Sequence, residues 1–146
     1  MNLLRKIWGI VIAAIISSCH SATFDTISPD GTLKVGVVTT KDGDYGKAAF
    51  VVHYKGDSIL FRSELGLETD AQKFAGNLRL KSVSEPKSVI DDYKMITGKR
   101  SHCVNEASER VYSLENDEGQ ILEVTFRVYN DGIAFKYGLK AISDEE

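Results

Sequence analysis

The sequence predicts an all-β fold, an antiparallel β-sandwich, and three observations carry that prediction. Apolar and polar side chains alternate over short stretches. Glycine and acidic turn residues separate those stretches. The stretches recur about every ten residues, a spacing that belongs to sandwiches and barrels. Of these stretches, Arg127 to Leu139 is the most informative, because its pattern and its turn agree.

Taken in order, the first element is Leu33 to Thr39, which opens after Pro29-Asp30-Gly31. Proline presets φ there and glycine tolerates positive φ, so a tight turn is expected. Leu33, Val35 and Val37 then face one way. Asp42-Gly43 makes the next turn and leads into Lys47 to Tyr54, with Phe50, Val52 and Tyr54 on one side. Gly56-Asp57 returns the chain into Ser58 to Phe61, where Ile59 and Phe61 alternate, so a hairpin is expected. Asn77 to Val83 alternates again through Leu78 and Leu80. Glu109 to Leu114 supplies Val111, Tyr112 and Leu114 ahead of the turn Asn116-Asp117-Glu118-Gly119.

Leu122, Val124, Phe126 and Val128 alternate with Glu123, Thr125 and Arg127, and after Asn130-Asp131-Gly132 the alternation resumes with Ile133, Phe135, Tyr137 and Leu139. Opposed residues of an antiparallel pair share a face. A loop at Asp131-Gly132 sets Val128 against Phe135, Phe126 against Tyr137 and Val124 against Leu139. A two-residue slip through Asn130-Asp131 keeps the same faces together. A one-residue slip would oppose Arg127 to Phe135 and bury a charge, so the pattern fixes the parity of the register and leaves its value open. Ser84 to Arg110 is the least patterned region. A long structureless loop is unusual in a compact domain, so part of it is expected to pair, and a further strand or a short helix is open near Ala71 to Phe74.

The amino terminus reads differently. Arg5 and Lys6 precede an apolar run from Ile7 to Ile16 that ends in Ser17, Ser18 and Cys19. A positive start, a short apolar run and small residues at its end describe a secretory signal, and the run is too short to span a bilayer comfortably. Ile16-Ser17-Ser18-Cys19 resembles a bacterial lipobox, whose cysteine becomes the lipidated first residue. Cleavage after Ala22 would instead leave His20 at the minus-three position, where a small residue is expected. The expected organisation is therefore a lipoprotein signal over residues 1–18, lipidation at Cys19, and one β domain over 19–146 in an exported lipoprotein, periplasmic or at the outer membrane of a Gram-negative cell, touching the membrane only through its anchor.

Composition narrows the function. Removing Arg5 and Lys6 from the 18 Lys and Arg leaves 16 against 21 Asp and Glu. An acidic chain without a clustered basic stripe argues against nucleic-acid binding, which needs phosphate neutralisation. A lipidated Cys19 leaves Cys103 without an intrachain partner among the 2 cysteines.

The strand R-V-Y-N-D-G from Arg127, followed by A-F-K-Y from Ala134, resembles the amino-terminal domain of glycoside hydrolase family 97. Other words fit in order: SPDG at Ser28 to Gly31 with LKVGVV after it, LGL at Leu65 to Leu67, NLRLKSV from Asn77, and TGKRSHCVNEASERVYSL from Thr97. The resemblance runs from about Thr26 to the last residue. It implies a domain that is part of a galactose-mutarotase-like super-sandwich and that continues past Glu146, hence a partial domain. It also implies an α-glucosidase or α-galactosidase whose catalytic acids lie on a β/α barrel absent from this chain, so that the chain alone is inactive. Family members bind calcium near the active site. One ligand lies in an I-x-x-E stretch that looks like Ile142 to Glu145, which makes Glu145 a candidate calcium ligand in the full-length enzyme, with no cofactor expected for this chain alone.

The residues themselves name no catalytic group. Glycoside hydrolysis needs two carboxylates at a fixed separation. Asp91 with Asp92 and Asp144 to Glu146 are adjacent along polar segments, where solvated carboxylates are expected. Asp42, Asp44 and Gly46 put glycine in the place of a third calcium ligand, so they read as a turn. His53 reads as a partly buried strand residue, and His102 beside Cys103 is poor zinc-ligand spacing. A second function class is a self-contained surface lipoprotein that binds an α-glycan or a protein through its sheet. Sugar modules present aromatic platforms. The single tryptophan, Trp8, falls in the signal, which leaves Tyr45, Tyr93 and Tyr129 as surface candidates and the carbohydrate-binding residues unassigned.

Overall fold

The computed structural model describes residues 25–40, 45–96 and 101–139. The signal segment, Cys19, the turn at Asp42-Gly43 and Glu145 lie outside the described residues. Every regular element described is a strand: β1 (Thr26–Ile27), β2 (Leu33–Thr39), β3 (Ala48–Tyr54), β4 (Asp57–Leu65), β5 (Leu78–Val83), β6 (Lys87–Lys94), β7 (His102–Asn116), β8 (Ile121–Tyr129) and β9 (Ile133–Leu139). All pairings are antiparallel. One sheet has the order β1-β2-β3-β4, and the other runs β5-β7-β8-β9 with β6 also on β7.

Turn chemistry sets the hairpins. Lys55 and Gly56 both have positive φ, 51° and 95°, and Tyr54 pairs with Asp57, so the β3–β4 loop is Lys55-Gly56 rather than Gly56-Asp57. Two positive φ values match the right-handed twist of the flanking strands. Gly119, at φ 79°, closes the β7–β8 turn by donating its N–H to Asn116 O at 3.0 Å. In the last hairpin Val128 faces Ile133, Phe126 faces Phe135, Val124 faces Tyr137 and Leu122 faces Leu139. This is the register that loops through Asn130-Asp131. The parity read from alternation holds, and the bond from Tyr129 N to Gly132 O at 2.8 Å selects its value.

The poorly patterned region is also stranded. β6 pairs with the first half of β7, from Lys87 with Glu109 to Lys94 with His102. β5 occupies the second half of the same β7 edge, and β8 takes the opposite edge, reaching only as far as Ala107 opposite Tyr129. The β6–β7 hairpin therefore projects past the end of β8 as a two-stranded arm. Its side chains carry no clean alternation because much of the arm has no sheet behind it. No helix forms near Ala71 to Phe74. There the chain folds back through a bridge between Glu68 and Lys73 and delivers Phe74 into the core.

Inner faces of the two sheets close on one another. Leu33, Val35, Phe50 and Val52 from the first sheet meet Tyr112, Leu114, Leu122, Val124, Phe126 and Val128 from the second in one buried cluster. Phe50 and Phe126 pack with ring centroids 5.3 Å apart, and Tyr112 meets Phe126 edge-on at 5.8 Å. Burying side chains of this size stabilises by about 1.5–3 kcal/mol each relative to exposure. The Tyr112 hydroxyl is hydrogen-bonded to Thr26 Oγ1 at 2.8 Å, so its burial leaves no orphan oxygen. The expected hairpin of β3 and β4 forms, and Ile59 and Phe61 on it are 61% and 83% exposed. Arg62, at φ 43°, lies in a register shift between the pairs Phe50–Ser63 and Val52–Leu60, and β4 is the sheet's edge.

Candidate functional site

The outer face of the second sheet carries a polar constellation built by strand alternation. Glu109 on β7 pairs with Arg127 on β8, so their side chains share that face, as does Asp91, which lies on β6 opposite Asn105 of β7. Arg127 Nε donates to Glu109 Oε2 at 2.6 Å and its Nη1 donates to Asp91 Oδ1 at 2.9 Å. The Tyr129 hydroxyl donates to the other Asp91 oxygen at 2.5 Å. One guanidinium thus bridges carboxylates from two other strands, and a phenol fixes the orientation of one of them.

Electrostatics follow from those contacts. The hydrogen bond to Glu109 is the largest cause that raises the Arg127 guanidinium above its ordinary range, with Tyr129 second. The bond to Asp91 raises the Tyr129 phenol, because the anion beside it resists a second negative charge. Arg127 therefore stays a cation and Tyr129 a neutral donor across the ordinary pH range.

Beside this cluster the overhanging arm and the β8–β9 turn enclose an open hollow of ≈ 520 Å³, lined by Asp91, Asp92, Tyr93, Asn105, Tyr129 and Asp131 among others. A second hollow of ≈ 250 Å³, with Thr125, Arg127, Phe135 and Lys136 in its walls, shares Tyr129 with the first.

The remaining expectations distribute as follows. Asp91 is not a solvated carboxylate, since its side chain is 29% exposed and doubly bonded, whereas Asp92 is open and pairs with His102 Nε2 at 2.6 Å. Alternation sends the two side chains to opposite faces of β6, so they do not oppose each other across a substrate. Tyr45 lies under the Arg79 guanidinium, 5.0 Å from ring centroid to Cζ, while Tyr93 is 48% exposed on the wall of the larger hollow. His53 is half-buried on β3 and Cys103 half-buried on β7. Among the described residues no three His, Cys, Asp or Glu side chains gather to hold a metal ion, and Glu145 lies outside them. Arg127 and Glu109 were not singled out from sequence. Their signal is two oppositely charged residues at outward positions of two strands, which becomes a pair only once the register is known.

The chain belongs to the glycosyl-hydrolase 97 N-terminal family, whose model matches residues 27–146. A Streptomyces bingchenggensis (strain BCW-1) protein described as "Probable retaining alpha-galactosidase" is 24% identical over 144 residues, 92% of this chain and 22% of that protein. A crystal structure of a beta-arabinopyranosidase matches with a TM-score of 0.73 and 31% identity over 82% of this chain and 18% of its own. A Glycoside Hydrolase Family 97 enzyme from Pseudoalteromonas sp. strain K8, in complex with acarbose, matches with a TM-score of 0.70 and 19% identity over the same shares, a likeness of fold. The chain thus spans about a fifth of the length of each of these relatives.

Proposed function

We propose that this chain is the amino-terminal β-sandwich of an exported family 97 glycoside hydrolase acting on α-glucosides or α-galactosides. It supports a catalytic β/α barrel and does not hydrolyse glycosides itself. The observation that carries this reading is the family match over residues 27–146 in a chain that spans 22% of its curated relative. Chemistry agrees. Hydrolysis needs an acid and a base or nucleophile flanking one bond. Here Asp91 and Glu109 are both tied to one guanidinium, Arg127, and so are held in a salt bridge rather than placed on either side of a bond. Fold alone does not confer the relatives' activities, and the barrel's substrate is a separate matter of its own site.

Export and lipidation at Cys19 rest on the signal-like residues 1–18 and complete this reading as a periplasmic or outer-membrane lipoprotein. Calcium belongs to it only at the level of the whole enzyme. Glu145 would supply one hard oxygen donor there, and a single carboxylate cannot meet the six to eight oxygens that calcium takes.

A graft tests the supporting role. The matched amino-terminal segment of the beta-arabinopyranosidase is deleted, or replaced by residues 27–146 of this chain. Deletion is expected to abolish soluble activity and the graft to restore measurable turnover. Full activity after deletion would remove the role. The outer-face hollow favours a second reading, a self-contained surface module that binds a glycan.

A further inference from the structure

We propose that the outer-face hollow between the β6–β7 arm and the β8–β9 turn is a binding subsite for a neutral oligosaccharide. This goes beyond the supporting role, and each can fail without the other.

The argument starts from what the hollow offers. Asp91, Tyr93 and Asn105 project from one face of the arm, because Asp91 pairs with Asn105 and Tyr93 pairs with Cys103 one step further out. Tyr129 and Asp131 close the side toward the hairpin turn. At ≈ 520 Å³ the space falls within the range of about 300–1,000 Å³ typical of small-molecule sites. The second hollow shares Tyr129, so the surface continues across β8 and β9 for a ligand longer than one ring.

Charge then selects the ligand class. Asp91 and Asp131 on the walls repel an anion. A cation gains little from Asp91, whose negative charge is already matched by the Arg127 guanidinium at 2.9 Å while the Tyr129 hydroxyl at 2.5 Å bonds its other oxygen. A hydroxyl has no such difficulty. A carboxylate oxygen keeps a lone pair after one bond, so Asp91 accepts from a sugar hydroxyl without losing Arg127. The Asn105 amide both donates and accepts, which matches a hydroxyl that does both. Tyr93, 48% exposed, supplies a flat wall for the C–H face of a pyranose ring. Arg127 and Tyr129 hold Asp91 in place beforehand, so little ordering is required on binding.

The test is a titration of the full, isotope-labelled chain with maltotriose and with melibiose, read by amide chemical shifts. At least one sugar is expected to give saturable shifts at Asp91, Tyr93, Asn105 and Tyr129, with a dissociation constant on the order of 1 mM. Tyr93→Ala should weaken binding about tenfold while the remaining amide spectrum stays dispersed, and Asn105→Ala should weaken it less. Absence of saturable shifts with both sugars at about 20 mM overturns the proposal, as do shifts that persist unchanged in Tyr93→Ala. Calcium chloride alone shifting the same amides would assign the hollow to a cation and overturn it as well.

Discussion

Asp30 and Asn130, 100 residues apart, are joined by a hydrogen bond from the Asp30 N–H to Asn130 Oδ1 at 3.0 Å. The bond ties the turn before β2 to the turn between β8 and β9, and so clips the two sheets together at one end. Both ends are organised locally. Asp30 Oδ1 accepts from the Ser28 and Thr32 hydroxyls at 2.6 and 2.8 Å, and these bonds, Ser28 first, hold its carboxyl below the ordinary 3.8.

Replacing Asn130 with Ala removes the clip and nothing from the core. The bond is exposed, so the expected loss is small, about 0.5–1.5 kcal/mol. Amide exchange is the sharper readout: the Asp30 N–H should exchange faster while the amides of β8 keep their protection. Unchanged exchange at Asp30 would mean that water already serves that donor.

Gly66 sits where the chain after β4 folds back under itself. A Cβ there would lie 2.8 Å from the Phe74 carbonyl oxygen, a backbone atom held by the bond from Phe74 N to Leu67 O. The Gly66 N–H also donates to the Tyr137 hydroxyl at 3.2 Å. Gly66→Ala is therefore expected to destabilise by about 1–3 kcal/mol, because Phe74 cannot both stay buried and move away. Thermal denaturation measures it, and a melting temperature equal to that of the unaltered chain would show the fold-back to be looser than described.

Glu115 gives the fold an acid limit. Lys81 and Arg79 both bond its carboxylate, and these contacts, Lys81 first, lower its pKa below the ordinary 4.5. A carboxyl depressed by folding contributes stability above its unfolded pKa and loses it as pH falls through the folded value. Stability should thus hold near neutrality and decline with acidification below about 4.5. In Glu115→Gln that decline should be shallower and stability at pH 7 lower. Urea unfolding across that range reads both, and parallel curves for the two proteins would assign the acid limit elsewhere.

Much of the architecture was legible because alternation is a local signal. Leu33, Val35, Phe50, Val52, Leu122, Val124, Phe126 and Val128 face inward as their period requires. The family words were legible for a reason the structure supplies. SPDG meets the hairpin turn through Asp30 and Asn130, and LGL meets AFKY through Gly66 and Tyr137. Words far apart in the chain are contacts in the fold. What alternation could not convey was anything set by an edge or a register. Ile59 and Phe61 alternate correctly yet lie on an edge strand beyond a bulge. The arm built from β6 and β7 has no sheet behind its tip to impose a pattern. The Asp91–Arg127–Glu109 cluster joins three strands, and no single segment contains it.

The reading stands most directly on the absence of hydrolysis by the chain itself. Purified chain is incubated with nitrophenyl α-glucopyranoside and nitrophenyl α-galactopyranoside, and release of nitrophenol is followed. No release above the protein-free rate is predicted, because Arg127 and Tyr129 engage both oxygens of Asp91. Turnover that disappears in Asp91→Asn would contradict the account and make this sandwich an enzyme in its own right.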